Sequence, residues 1–288
     1  MVYPLKGRFY RSEKRLYTTQ MRLLALALCA LQLAAQPVQF AVLVEEAFQL
    51  SGVRNQVQQL PGQFQQQFEE QIGKLPAAQR EKTAPLLRKV LNDFIEPESL
   101  YRQLKINFIA NIEAKKLQAA IEWLRSPIAR RMQKLEDYAY SREGKQKLEQ
   151  FAADIQSTTP APQRVNLMRD LDQAVNGSAF ATDLLVEVAR DVTEKIVPSG
   201  ASAKELNRDL AELRGASHPM MVNMFILQSL FMYQPVIDEE LKQYITARRS
   251  EIAQWYTRRL QETLLRTLSM RAAKAAADFK GAGAAKRP

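Results

Sequence analysis

Through residues 36–270 apolar side chains recur every three or four positions with polar residues between them, the spacing that keeps one face of an α-helix in a core. Leu185, Val188, Val192 and Ile196 share one such face. Ile237, Leu241, Ile245, Ile252, Tyr256, Leu260, Leu264 and Leu268 drift along another, which would run about 48 Å if unbroken. Asp238, ahead of Glu239 and Glu240, is expected to cap that run with an acceptor oxygen, followed by negative charge at the positive end of the dipole. Ser126-Pro127 predicts a break between a helix near 113–125 and another near 127–140: serine caps, and proline suits a first turn where its missing N–H would be unpaired. Ser250-Glu251 offers a similar cap, or a helix that runs through. The stretch 157–162, polar and proline-bearing, reads as a linker.

The two sides of that linker match each other. Leu117, Ile121, Arg125, Ser126, Ile128 and Ala129 recur as Leu241, Ile245, Arg249, Ser250, Ile252 and Ala253, always 124 positions later. Helical periodicity repeats leucines and isoleucines, but it does not demand the Arg-Ser pair. Upstream, residues 45–52 correspond loosely to 169–177 with a one-residue slip. The expected fold class is therefore all-α, two tandem diverged helical-bundle repeats at 36–156 and 163–270. Trp123, Arg125, Ser126 and Pro127, with Arg249 and Ser250, form the candidate structural motif.

These residues also carry a family resemblance. Glu113 through Leu117, the helix with Trp123, then Ser126-Pro127 and Ala129 are similar to the signature of a bacterial secreted helical family of unknown function, in which an acidic-Leu start and an aromatic helix precede Ser-Pro-x-Gly. The opening over 44–53 resembles that family as well, so the likeness covers residues 42–140. It implies a helical fold and an exported location and brings no chemistry. The family glycine is Ala129 here, Glu251 replaces the proline in the second copy, and no aromatic answers Trp123 there.

Composition agrees with helices: ten glycines among 288 residues, with 46% hydrophobic and 25% charged positions. The net charge of +10 suggests nucleic acid until it is located. Residues 1–35 hold six basic side chains against Glu13, and 271–288 hold five against Asp278, leaving the body near neutrality. A phosphate-binding surface needs its cations on the fold, so nucleic acid is not an expected partner. Arg22, then an apolar run, then Ala34 and Ala35 have the layout of a secretory signal peptide at 1–35, too short for a membrane span. Met21 would begin a signal of ordinary size. Periplasmic localisation follows as an expectation, with no stable span in the mature chain. Cys29, the one cysteine, falls inside the signal, so no disulfide or thiolate chemistry is expected beyond it. The basic tail 271–288 reads as disordered.

Candidate chemistry is sparse. His218 is the single histidine, in Ser217-His218-Pro219 ahead of an apolar helix, and reads as a loop or cap residue. With Met220 and Met224 one turn apart it is a weak candidate for Cu(I), although methionines among Phe225, Ile226 and Leu230 read as core. Glu98-Ser99 resembles the acid–serine pair of peptidoglycan-cleaving transglycosylases, but acids at a first turn are ordinary capping. Trp123 and Trp255 read as packing anchors. No catalytic residue, cofactor or metal is assigned. The expected role is a periplasmic module that binds another protein or an envelope component, with a carrier of a lipid or small apolar ligand as alternative and a cell-wall enzyme third.

Overall fold

The computed structural model describes residues 40–73, 76–110, 112–155, 157, 159–196 and 203–284. The signal-like segment 1–35 therefore lies outside the described residues. Met1–Leu43 and Val44–Pro288 form two units; of the first only 40–43 are described, all helical, and the second carries the rest of the architecture. The described residues form twelve helices and no strand, so the fold is all-α. In chain order they are α1 (40–50), α2 (Val53–Gly73), α3 (Ala77–Ile95), α4 (Pro97–Ile109), α5 (Ala114–Arg125), α6 (Pro127–Tyr140) and α7 (Arg142–Asp154), then α8 (Pro162–Val175), α9 (Gly177–Ile196), α10 (Ala203–Met232), α11 (Asp238–Arg248) and α12 (Glu251–Ala284).

The helix boundaries follow local chemistry. Ser126 Oγ accepts from the Ala129 N–H at 3.4 Å with Pro127 at the first position of α6, and Ser250 Oγ accepts from the Ala253 N–H at the same distance. The long run from Ile237 is thus two helices, broken at Arg249-Ser250. Asp238 is not its cap: Ile237 holds that position without a side-chain bond, and Asp238 instead pairs with Arg164 at 2.6 Å. Of the linker expected at 157–162, the described residues 157 and 159–161 lie between α7 and α8, while Pro162 is already the first residue of α8.

The same local geometry recurs at a spacing of 124 residues. Gly52 (φ 69°) ends α1 and Asn176 (φ 53°) ends α8, and among the described residues only these two have positive φ. Glycine enters that region freely and asparagine with little strain. The left-handed residues pair without any slip, so the expected match of Gly52 to Gly177 is off by one; Gly177 is the first residue of α9. Arg125 pairs with Glu46 and Arg249 with Asp170; Arg130 donates to the Leu50 carbonyl and Gln254 to that of Ala174.

Helices α1–α7 and α8–α12 nevertheless do not fold into separate bundles. α12 packs on α3, α4 and α5, while α6 and α7 pack on α10. Tyr256 of α12 enters an aromatic stack with Phe108 and Phe48, ring centroids 5.9 and 5.1 Å apart. Met132 of α6, 124 positions earlier, lies in the other core with Met168, Leu171, Leu230, Leu241 and Tyr244. Each half thus lends a helix to the other half's core.

Two expectations are corrected along α10 and α12. His218 and Pro219 lie inside α10 rather than ahead of a helix: residues 203–217 are themselves helical, and the proline is accommodated within. The tail from Arg271 is helix as far as Ala284, because Ala272 and Ala276 are buried and Arg271 is anchored. Its guanidinium donates to the Phe94 carbonyl at 2.6 Å, to Ser99 Oγ at 3.0 Å, to Gln103 Oε1 at 3.1 Å and to the Asp93 carbonyl.

Candidate functional site: a cavity between the two halves

A cavity of about 270 Å³ lies where the halves meet. Its wall takes Ser51, Gln56, Leu124, Gln133 and Glu136 from the first half, and Val175, Phe180, Arg248, Thr257 and Leu260 from the second. Those are five pairs at the spacing of 124 residues. In four of them a polar or charged side chain stands in one half where an apolar one stands in the other: Ser51 with Val175, Gln56 with Phe180, Glu136 with Leu260, Arg248 with Leu124. Trp123, Tyr244 and Tyr256 complete the aromatic part of the wall. A second cavity of about 150 Å³ shares Glu136, Val175, Tyr244 and Arg248 with the first, so those residues form the partition.

The charged pair in the partition is built by ordinary helix geometry. Glu136 follows Met132 by one turn on the core face of α6. Its Oε1 accepts from Tyr233 Oη at 2.7 Å and Tyr244 Oη at 3.2 Å. Burial pushes the carboxyl above its ordinary range, opposed by the Arg248 charge and by the two phenol donors. The same enclosure raises all the surrounding phenols: Tyr140 to about 12, with Tyr233 and Tyr244 also raised, and in each the Glu136 charge adds to the effect of burial.

Arg248 closes α11. Its guanidinium lies over the Trp123 ring, 5.2 Å from the centroid, and one terminal nitrogen donates to Thr257 Oγ1 at 3.3 Å. No carboxylate reaches it within ion-pair distance among the described residues; Glu136 acts on it only through space. The Arg248 Nε–H and the Trp123 Nε1–H are both buried without an acceptor. A buried donor left unpaired costs about 1–3 kcal/mol, and more when it carries charge. The wall therefore combines a cation lacking a contact anion, a carboxyl biased towards neutrality and several aromatic faces.

The other candidates fall elsewhere. Arg125, Ser126, Pro127, Arg249 and Ser250 form caps and surface ion pairs. His218 Nδ1 is 3.2 Å from Thr182 Oγ1, while Met220 and Met224 are exposed on α10. Among the described residues no group of three or more His, Cys, Asp or Glu could hold a metal ion. Ser99 serves Arg271, and Glu98 is an exposed first-turn acid. Asp172 and Ser178 do meet, at 2.5 Å, but the same carboxylate also accepts from the Ser178 N–H, which makes it the cap of α9; His218 does not reach Ser178. Sequence reasoning missed Glu136 and Arg248. One signal was present: an acid between Met132 and Tyr140 at four-residue spacing, on a face otherwise turned to the core.

No protein family, curated protein or solved structure matches this chain. Among the described residues no helix is long and apolar enough to cross a membrane.

Proposed function

We propose that the protein is an exported binding protein that holds a small molecule in the cavity between its two halves, which descend from one duplicated helical unit. The observation that carries the reading is the cavity itself, about 270 Å³ with buried, unpartnered N–H donors on residues of its wall. Ligand sites of this kind are concave, mostly apolar, and carry a few polar groups that fix orientation. Duplication is supported by the spacing of 124 residues in left-handed turns, serine caps and ion pairs. Export rests on the segment from Arg22 to Ala35. A glycosidase would need two carboxyl groups at the site, and among the described residues of this wall Glu136 is the one acid.

Native mass spectrometry on the gently purified chain tests this. One small-molecule adduct per chain, lost on denaturation, is expected, with an N-terminus near Gln36. Leu260→Trp, which fills the cavity, should lose the adduct while the chain keeps its helical circular dichroism. A bare chain whose melting point no small molecule moves would refute the reading, and a mass retaining 22–35 would refute cleavage.

A second reading, docking of a protein partner, is favoured by one observation. Leu87, Val90, Leu91 and Phe94 of α3, Val188 and Val192 of α9, and Ala272, Ala276 and Phe279 of α12 line a more open groove of about 250 Å³ with almost no polar surface. Crosslinking that maps a partner to α3 rather than a ligand to Trp123 would favour it.

A further inference from the structure

Resting on that binding reading, we infer that the cavity takes a small organic monoanion, a carboxylate on an apolar body, with Arg248 as the residue that recognises its head group. Arg248 stands on both cavity walls, and of its five N–H donors a single one is used, on the neutral Thr257 hydroxyl. A guanidinium is a planar fork matched to a carboxylate, and its place over the Trp123 ring holds that fork at the cavity wall. Packing alone does not call for the charge: at the corresponding place in the first half Leu124 is buried, 4% exposed, and sits in the same wall. The Arg248 Nε–H is buried without an acceptor, which is costly, and a bound anion supplies the missing partner.

Charge and size narrow the class. One guanidinium faces one nearby carboxyl, so a dianion such as a phosphate monoester would leave a negative charge uncompensated beside Glu136. A monoanion balances Arg248 alone, and the upward pull of burial on Glu136 reduces the opposition it would meet. Phe180, Val175, Leu260, Leu264 and Tyr256 offer the apolar faces for the body. The volume suits a single ring or a short chain.

Three probes with the same ring separate the head groups: phenylacetate, 2-phenylethanol and 2-phenylethylamine. Binding is followed by tryptophan emission in a Trp255→Phe background, where Trp123 is the remaining tryptophan. Saturable binding of phenylacetate, at least tenfold tighter than either other probe, is expected. Arg248→Gln should weaken phenylacetate at least tenfold while leaving 2-phenylethanol within twofold, and Arg248→Lys should recover part of the loss. Equal or tighter binding of the alcohol or the amine overturns the anion assignment and leaves the cavity as a binding site. If none of the three binds while the native chain carries an adduct, the ligand class is wrong; if none binds and the chain is bare, the binding reading falls with it. Because the ranking of the three probes is read on the unmutated site, the test stands even if Arg248→Gln fails to fold.

Discussion

Arg271→Ala is the sharpest test of how α12 is held. The side chain is 9% exposed and makes four hydrogen bonds, two of them to the Asp93 and Phe94 carbonyls in the last turn of α3. Those carbonyls have no partner within their own helix, so the guanidinium acts as the C-terminal cap of α3 and ties it to α12. Bonds from a charged donor contribute more than neutral ones, but water re-enters beside α3 once the side chain is gone. The net loss is about 3 kcal/mol, below the gross sum of four bonds. For a fold of this size that lowers the melting temperature by about 6–12 °C. Thermal unfolding followed by circular dichroism should show that drop for Arg271→Ala. About half of it is expected for Arg271→Lys, whose single ammonium cannot span the fork. Exposed Lys274→Ala on the same helix is the control. If Arg271→Ala melts within about 2 °C of the parent chain, the docking of this segment onto α3 and α4 is wrong.

Three further outcomes are expected. Glu136→Gln keeps an acceptor for the two tyrosines and removes the charge. The folded carboxyl is raised above its unfolded value of 4.5, so the stability it supplies is complete below that pH and is lost as pH rises through the folded pKa. The Gln variant should therefore be the more stable chain in urea at about pH 7 and lose its advantage near pH 4; the opposite order refutes the burial argument. Gly177→Ala puts a Cβ 2.4 Å from Phe225 Cε2 and should destabilise by about 1–3 kcal/mol, whereas Gly73→Ala, with open space around it, should be neutral or stabilising. Double-mutant cycles on Arg125/Glu46 and Arg249/Asp170 should give similar small couplings of about 0.2–1 kcal/mol each, since both arginines are exposed; a value several times larger for one would contradict their geometric equivalence.

What was legible in the sequence was whatever local chemistry decides. Apolar spacing predicts the helices, and Ser126-Pro127 predicts a boundary that falls between Arg125 and Pro127. Asp238 misleads because two kinds of donor compete for its carboxylate: it gains more from the Arg164 guanidinium than from the N–H groups of its own helix. The basic tail reads as disordered because it is rich in Ala, Gly and Lys, with Phe279 its one large apolar residue. A sequence cannot show that small alanines are what a helix needs to lie close against α3, nor that one arginine finds four acceptors there. Glu136 and Arg248 escaped for a related reason: they are more than 100 residues apart, and neither belongs to a motif with a fixed spacing.

The placement of the cavity follows from which paired positions agree and which do not. Leu117 and Leu241 are both fully buried, Ile121 and Ile245 are both 3% exposed, and Ala129 and Ala253 are both buried. These matched pairs pack α5 and α11, α6 and α12, and set the backbone frame in each half. Four mismatched pairs meet in the cavity wall: Leu124 with Arg248, Glu136 with Leu260, Ser51 with Val175, Gln56 with Phe180. A wall with matched pairs would hold the same side chain twice, two arginines or two glutamates in repulsion, or only leucines with nothing to orient a ligand. On the duplication proposed above, the differences at those positions remove the repulsion and leave one cation, one carboxyl and several aromatic faces in the wall, while the matched pairs keep the frame. Replacing Arg248 by the leucine of its counterpart therefore separates scaffold from site. The chain should fold with at least its original stability, since a half-buried guanidinium with an unpaired Nε–H is exchanged for a side chain already accommodated at the matching position. Phenylacetate binding should disappear. A large loss of stability instead would show that the guanidinium holds the fold together, and the division between frame and site would fail.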